Sequence, residues 1–143
     1  MIIIILILGL DQLSKLLINK NLVLNQSIPI LKGIFHLTLV HNRGAAFGIL
    51  RNQAALLVFT SVIAIVLICF DLKRDGTAKS CLYKLSLSLI LGGALGNLID
   101  RLWLGYVIDF LDLRIWPVFN VADSAITIGA ILLGWSLWKQ SKT

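Results

Sequence analysis

Residues 96–113, GNLIDRLWLGYVIDFLDL, hold Asp100, Asp109 and Asp112 together with Asn97 and Arg101, and Asp123 follows just downstream. The chain has no glutamate, so these four are most of its seven acids. That composition narrows the chemistry. An H-E-x-x-H zinc site is impossible, and no G-x-S-x-G nucleophile elbow is present. Ser14 and Lys15 are adjacent, so on a helix they diverge and make a poor Ser–Lys dyad. What remains is carboxylate chemistry. Two aspartates held close cannot both ionise easily and come to share one proton. One can then take a proton from water while the other donates to a scissile carbonyl.

The acids stand in an otherwise apolar chain. Of its 143 residues, 58% are hydrophobic and 14% charged, against about 25% charged in a soluble domain. A charge at the centre of a membrane helix costs about 2.5–3.5 kcal/mol on insertion scales, so a cluster of them needs a function or a partner. The formal charge of +6 is spread between hydrophobic runs. It reads as contact with anionic headgroups rather than with nucleic acid.

Four runs can position the cluster. Residues 52–70 are uncharged over 19 residues, about the length that crosses a ~30 Å core. Spans over about 85–101 and 120–138 have polar ends at the membrane boundary. A span over about 1–18 requires Asp11 and Lys15 inside it, and their i,i+4 spacing lets them pair. The apolar start lacks a basic region and a small-residue cleavage pattern, so it reads as a retained span and not a signal peptide. The expected fold is an all-α membrane protein of four transmembrane helices with a small β-rich extracytoplasmic loop over about 19–51. Within that loop, IFHLTLV (34–40) mixes aromatic and β-branched residues in the manner of short strands. Trp103, Tyr106, Trp116 and Phe119 suit an interfacial aromatic belt.

Basic residues divide evenly between the two faces. They are densest in the short loop 71–84, which favours that loop and both termini as cytoplasmic. The opposite face then collects Asp11, Lys15, Asn97, Asp100, Arg101, Asn120, Asp123 and Ser124, with Asp109 on the connecting loop. Gly93, Asn97 and Arg101 form one i,i+4 stripe. Asn120, Asp123 and Thr127, at i,i+3 and i,i+7, form a second stripe. The Gly92–Gly96 step permits close helix approach.

In this order, GGALGNLIDR (92–101), VIDF (107–110) and FNVADS (119–124) resemble the blocks of lipoprotein signal peptidase, the type II signal peptidase of bacteria. NRGAAFG (42–48) resembles its N-x-G-A-A-F block, and DQLSK (11–15) the Asp and Lys of its first helix. The resemblance implies an intramembrane aspartyl peptidase of the bacterial cytoplasmic membrane. Such an enzyme cleaves prolipoprotein signal peptides before a diacylglyceryl-modified cysteine. By motif position Asp109 and Asp123 would be the catalytic pair. Asn42, Asn97, Arg101 and Asn120 would line the site, with Asp11, Lys15 and Gly93 in support. The loop 19–51 would be the family's β-cradle, and globomycin-like inhibitors would bind. No metal or cofactor is implied, and a monomer is expected.

The remaining polar residues have plainer readings. Asp100 is expected to orient others, and Asp112 to be a solvated interface acid. Asp71 and Asp75 read as solvated loop acids, His36 and His41 as strand or loop residues. Cys69 reads as helix filler and Cys81 as a loop residue. Two other classes compete with a peptidase. A small transporter would also carry intramembrane charges, but no internal repeat is visible. A non-enzymatic assembly subunit could use the polar stripe to bind a partner helix.

Overall fold

A computed structural model describes residues 1–44, 53–74 and 80–142. Ala45 to Gly48 of the NRGAAFG block and Asp75 lie outside the described residues. The elements run α1 (Ile2–Asn21), β1 (Ser27–Leu31), β2 (Phe35–Asn42), α2 (Ala54–Lys73), α3 (Cys81–Leu104), β3 (Val107–Asp112) and α4 (Val121–Gln140). All four helices are long and apolar enough to cross a membrane. At 1.5 Å per residue, their 20 to 24 residues reach about 30–36 Å.

The helix ends follow from local chemistry. Ser80 caps α3 by accepting the Tyr83 N–H at 3.1 Å, and Gly105, at φ 78°, ends it in the left-handed conformation. Asn120 and Asp123 form a capping box at the start of α4, each side chain accepting from the other's backbone. The cap moves the start of α3 to Cys81, four residues before the expected boundary. Cys81 is therefore a helix residue and not a loop residue. Asp71 likewise lies within α2, where its carboxylate accepts the Tyr83 hydroxyl at 3.0 Å. It is paired, not merely solvated.

The core is organised around α3, which packs against α1, α2 and α4. Its glycines make the approach possible. A Cβ on Gly92 would lie 2.9 Å from Ile7 Cβ of α1. One on Gly93 would strike the Ala122 carbonyl of α4, and one on Gly96 the Asp11 carboxylate. Of α2, only Leu57 is buried. The apolar side chains left outside on α1, α2 and α4 would be costly in water but suit a bilayer.

The sheet has the order β1-β2-β3, antiparallel throughout. The hairpin β1–β2 turns at Gly33, whose φ of +76° suits glycine. The third strand departs from expectation, because VIDFLD is not a connecting loop. It pairs with β2, setting Val40 opposite Asp109, His41 opposite Ile108 and Asn42 opposite Val107. Asp109 is therefore fixed by a strand ladder. His36 and His41 both lie in β2, and His41 stacks on Tyr106 with centroids 3.9 Å apart.

Candidate active site

The sheet, the C-terminal end of α3 and the start of α4 converge on Asp109 and Asp123. Asp109 is 1% exposed, while Asp123 is half-buried. Asn42 and Asn120 donate to the two oxygens of Asp109, at 2.9 Å on Oδ2 and 2.7 Å on Oδ1. Asn97 donates to Asp123 Oδ1 at 2.8 Å, and the Asn120 backbone N–H reaches Asp123 Oδ2 at 3.3 Å.

The three asparagines share a logic. An amide can present either end to a neighbour, and each of these is held by its carbonyl oxygen. Asn42 Oδ1 accepts the Gly44 N–H at 2.9 Å. Asn120 Oδ1 accepts the Asp123 N–H at 2.8 Å. Asn97 Oδ1 accepts Lys15 Nζ at 2.9 Å and Asn120 Nδ2 at 3.0 Å. With the oxygens occupied, all three NH₂ groups turn toward carboxylates. The arrangement is a continuous network, Lys15 to Asn97 to Asp123, and Asn97 to Asn120 to Asp109.

Asn42 can reach Asp109 because of register. It stands opposite Val107, two residues along the strand, so both side chains share a face. Arg101 lies half-buried beside the pair, donating at 3.4 Å to the Asn97 carbonyl on its own helix and to the Gly44 carbonyl. Thr127 is exposed, so the proposed Asn120–Asp123–Thr127 stripe leaves the polar network after Asp123.

Electrostatics distinguish this site from an ordinary surface pair. Burial first, then the Asp123 charge, push the Asp109 carboxyl up to about 7. The Asn42 and Asn120 hydrogen bonds and the Lys15 charge oppose the rise without cancelling it. Two carboxylates with one raised in this way can hold a single proton between them near neutrality.

Beneath the pair, Lys15 is 2% exposed and Asp11 fully buried. They pair at 2.8 Å, as their spacing predicts. Lys15 also pairs with Asp100 at 2.9 Å, so Asp100 is tied to the first helix and not chiefly to its neighbour Arg101. Asp112 corrects the sequence reading. It is 4% exposed, accepts the Thr38 hydroxyl at 2.7 Å, and takes both the backbone N–H and the guanidinium of Arg114. Burial alone would raise its carboxyl. Thr38 and Arg114 together outweigh that and hold it below the ordinary value. Gln12 is a further member of the network. Its amide lies within 3.0–3.2 Å of Asp100, Asp11 and the Gly96 carbonyl, and only its place between Asp11 and Lys15 could have flagged it.

Four apolar helices together with two carboxylates, each hydrogen-bonded to asparagine, define a multi-pass membrane protein with a carboxylate site. Residues 3–139 match the family model described as signal peptidase (SPase) II, and the chain belongs to that family. It is 53% identical to the lipoprotein signal peptidase of Moorella thermoacetica over 132 residues, 92% of this chain and 87% of that protein. It is 50% identical to that of Halothermothrix orenii over 142 residues, 99% of this chain and 96% of that protein. A solved structure described as a bacterial membrane enzyme, obtained by the in meso method at 2.3 Å, superposes with a TM-score of 0.92 at 31% identity. That match covers 98% of this chain and 87% of the other. The chain is thus a bacterial multi-pass membrane protein of a peptidase family. Membership of that family takes the place of the transporter and assembly-subunit readings.

Proposed function

We propose that this protein is an aspartyl endopeptidase that hydrolyses the peptide bond before a diacylglyceryl-modified cysteine of prolipoproteins, with Asp109 and Asp123 as the catalytic pair. The observation that carries the reading is the network itself. Both carboxylates are fixed by asparagine amides, and Asp109 is held protonated toward neutrality.

The chemistry needs one proton on the pair. The ionised carboxylate takes a proton from water as its oxygen attacks the scissile carbonyl carbon. The protonated one donates to the carbonyl oxygen, giving a neutral tetrahedral diol. On collapse a diol hydroxyl returns its proton to the carboxylate that had donated one, the C=O re-forms and the C–N bond breaks, and the proton gained from water passes to the departing cysteine amine. The signal peptide leaves with a new carboxyl end, and the lipid-modified cysteine becomes the new N-terminus. Arg101 offsets the negative charge of the site.

The dense positive charge of loop 71–84 supports cytoplasmic termini and a site near the extracytoplasmic face. Acyl chains of the substrate would lie among the spans, each buried CH₂ contributing ~0.8 kcal/mol. Globomycin-like inhibitors would compete at the pair, and the protein would act as a monomer among membrane lipids. The test is cleavage by the purified protein of one prolipoprotein with and without the diacylglyceryl group, with the product's N-terminus read by mass spectrometry. Cleavage of the modified form alone, directly before the modified cysteine, is expected. Cleavage elsewhere, or equal cleavage of both forms, would overturn the reading.

A further inference from the structure

Each aspartate of the pair follows a residue whose backbone N–H is held by a second aspartate. Ile108 precedes Asp109 and donates to Asp100 Oδ2 at 3.1 Å. Ala122 precedes Asp123 and donates to Asp11 Oδ1 at 2.9 Å. The two holding carboxylates are themselves joined. Lys15 Nζ bridges them at 2.8 and 2.9 Å, and Gln12 Nε2 bridges them again at 3.2 and 3.0 Å.

We infer that Asp11, Lys15, Gln12 and Asp100 form a buried clamp that sets the separation of Asp109 and Asp123, acting on the backbone one residue ahead of each. The inference rests on the aspartyl-pair reading above. These four are positioning residues and not catalytic ones.

The geometry suits the task. The two elements that carry the pair come from different parts of the fold, a strand and a helix start. Side-chain contacts alone would let them drift, since a strand and a helix can slide against each other. Pinning each backbone to one rigid ion cluster removes that freedom. The cluster is self-contained. The three Lys15 N–H groups are taken by Asp11, Asp100 and Asn97, which leaves none free. The third contact also fixes the Asn97 amide that faces Asp123, so one ammonium touches the support of both carboxylates. Gly96 makes room for this, because any side chain there would occupy the place of the Asp11 carboxylate.

Misplacing reacting groups by about 1 Å can cost on the order of 100-fold in rate. Loosening the clamp should therefore lower kcat and leave substrate binding nearly intact. It should also alter how the pair shares its proton, which a purely structural lesion in a still-folded protein would not do.

The experiment compares wild type with Asp100→Asn, Asp11→Asn and Gln12→Leu in detergent, on diacylglyceryl-modified prolipoprotein. It reads kcat, KM, the pH–rate profile and the thermal midpoint. Asp109→Asn serves as a separate control on the pair itself. The expected result is a drop in kcat of about 10- to 100-fold for the two aspartate variants. KM should stay within about twofold, with a displaced limb of the pH profile. Gln12→Leu, which keeps both ion pairs, should move in the same direction by less. Folded variants with wild-type kcat and pH profile, or a loss confined to KM, would overturn the clamp. If the aspartate variants do not fold, Gln12→Leu decides by the same criteria. An active Asp109→Asn would instead sink the pair reading, and is distinguishable because it leaves the clamp untouched.

Discussion

Asn120 gives its side-chain amide to Asp109 at 2.7 Å and takes the backbone N–H of Asp123 on its carbonyl oxygen at 2.8 Å. One side chain thus caps the helix that carries one aspartate and orients the other. The two tasks need different atoms, so they can be separated. Asn120→Asp keeps a capping oxygen but sets a second carboxylate against Asp109. Asn120→Ala loses both. The expected outcome is a peptidase rate reduced at least about 10-fold in either variant. Stability should fall by about 1 kcal/mol through the lost cap only in Asn120→Ala. Parallel kinetics and thermal unfolding in detergent check this.

The raised carboxyl of Asp109 has a consequence for stability. From about pH 4 to 7 the folded chain keeps a proton there that the unfolded chain has released. Stability from this group is full in acid and is lost as the pH rises through about 7. The thermal midpoint of the wild type should fall across that window, and the fall should be smaller in Asp109→Asn. The cleavage rate should decline on the alkaline side of about pH 7, as the pair loses its shared proton. Thermal scans and rate profiles from pH 4 to 9 measure both.

Asp112 lies three residues from Asp109 but belongs to a separate set of contacts, with Thr38 and Arg114. Asp112→Asn should cost about 1.5–3 kcal/mol, the usual worth of hydrogen bonds to a charged group. It should leave the rate of the folded protein unchanged. Because the Asp112 carboxyl is held low, this contribution is present above the ordinary carboxylate pKa. It is lost as the pH falls through the lowered value. Comparing the thermal midpoints of Asp112→Asn and wild type at pH 7 and in strong acid tests the sign, since the difference should shrink in acid.

Helix packing sets another contrast. A methyl on Gly93 would strike the Ala122 carbonyl and come within 2.8 Å of Ile126, whereas one on Gly134 meets nothing within 4 Å. Gly93→Ala should force α3 and α4 apart, lowering both stability and rate. Gly134→Ala should be neutral or stabilising by up to about 1 kcal/mol, from helix propensity. Thermal midpoints and rates of the two variants decide it.

What could be read from the sequence divides by range. Hydropathy located all four helices, and the Asp11–Lys15 pair was legible because i,i+4 spacing is local. Strand β3 was not. VIDFLD is short, and the partner that makes it a strand lies far away in the chain, as the 67-residue separation of Asn42 and Asp109 illustrates. The same holds for Asp112, whose burial depends on Thr38, 74 residues away. Cys81 falls outside the span for a smaller reason: the cap by Ser80 carries the helix back past Lys84, a charge that hydropathy takes as the boundary. The convergence of Asp109, Asp123, Asn42, Asn97 and Asn120 was expected from motif order. The direction in which each amide points emerged only from the structure.

In the proposed mechanism Asp109 and Asp123 together hydrolyse the peptide bond. It is tested most directly with purified wild type, Asp109→Asn, Asp123→Asn and Asp112→Asn in detergent, each with its thermal midpoint measured. Conversion of diacylglyceryl-modified prolipoprotein is followed by gel shift. Cleavage by wild type and Asp112→Asn, with none by folded Asp109→Asn or Asp123→Asn, is expected. Cleavage by either of those two at the wild-type rate would contradict it.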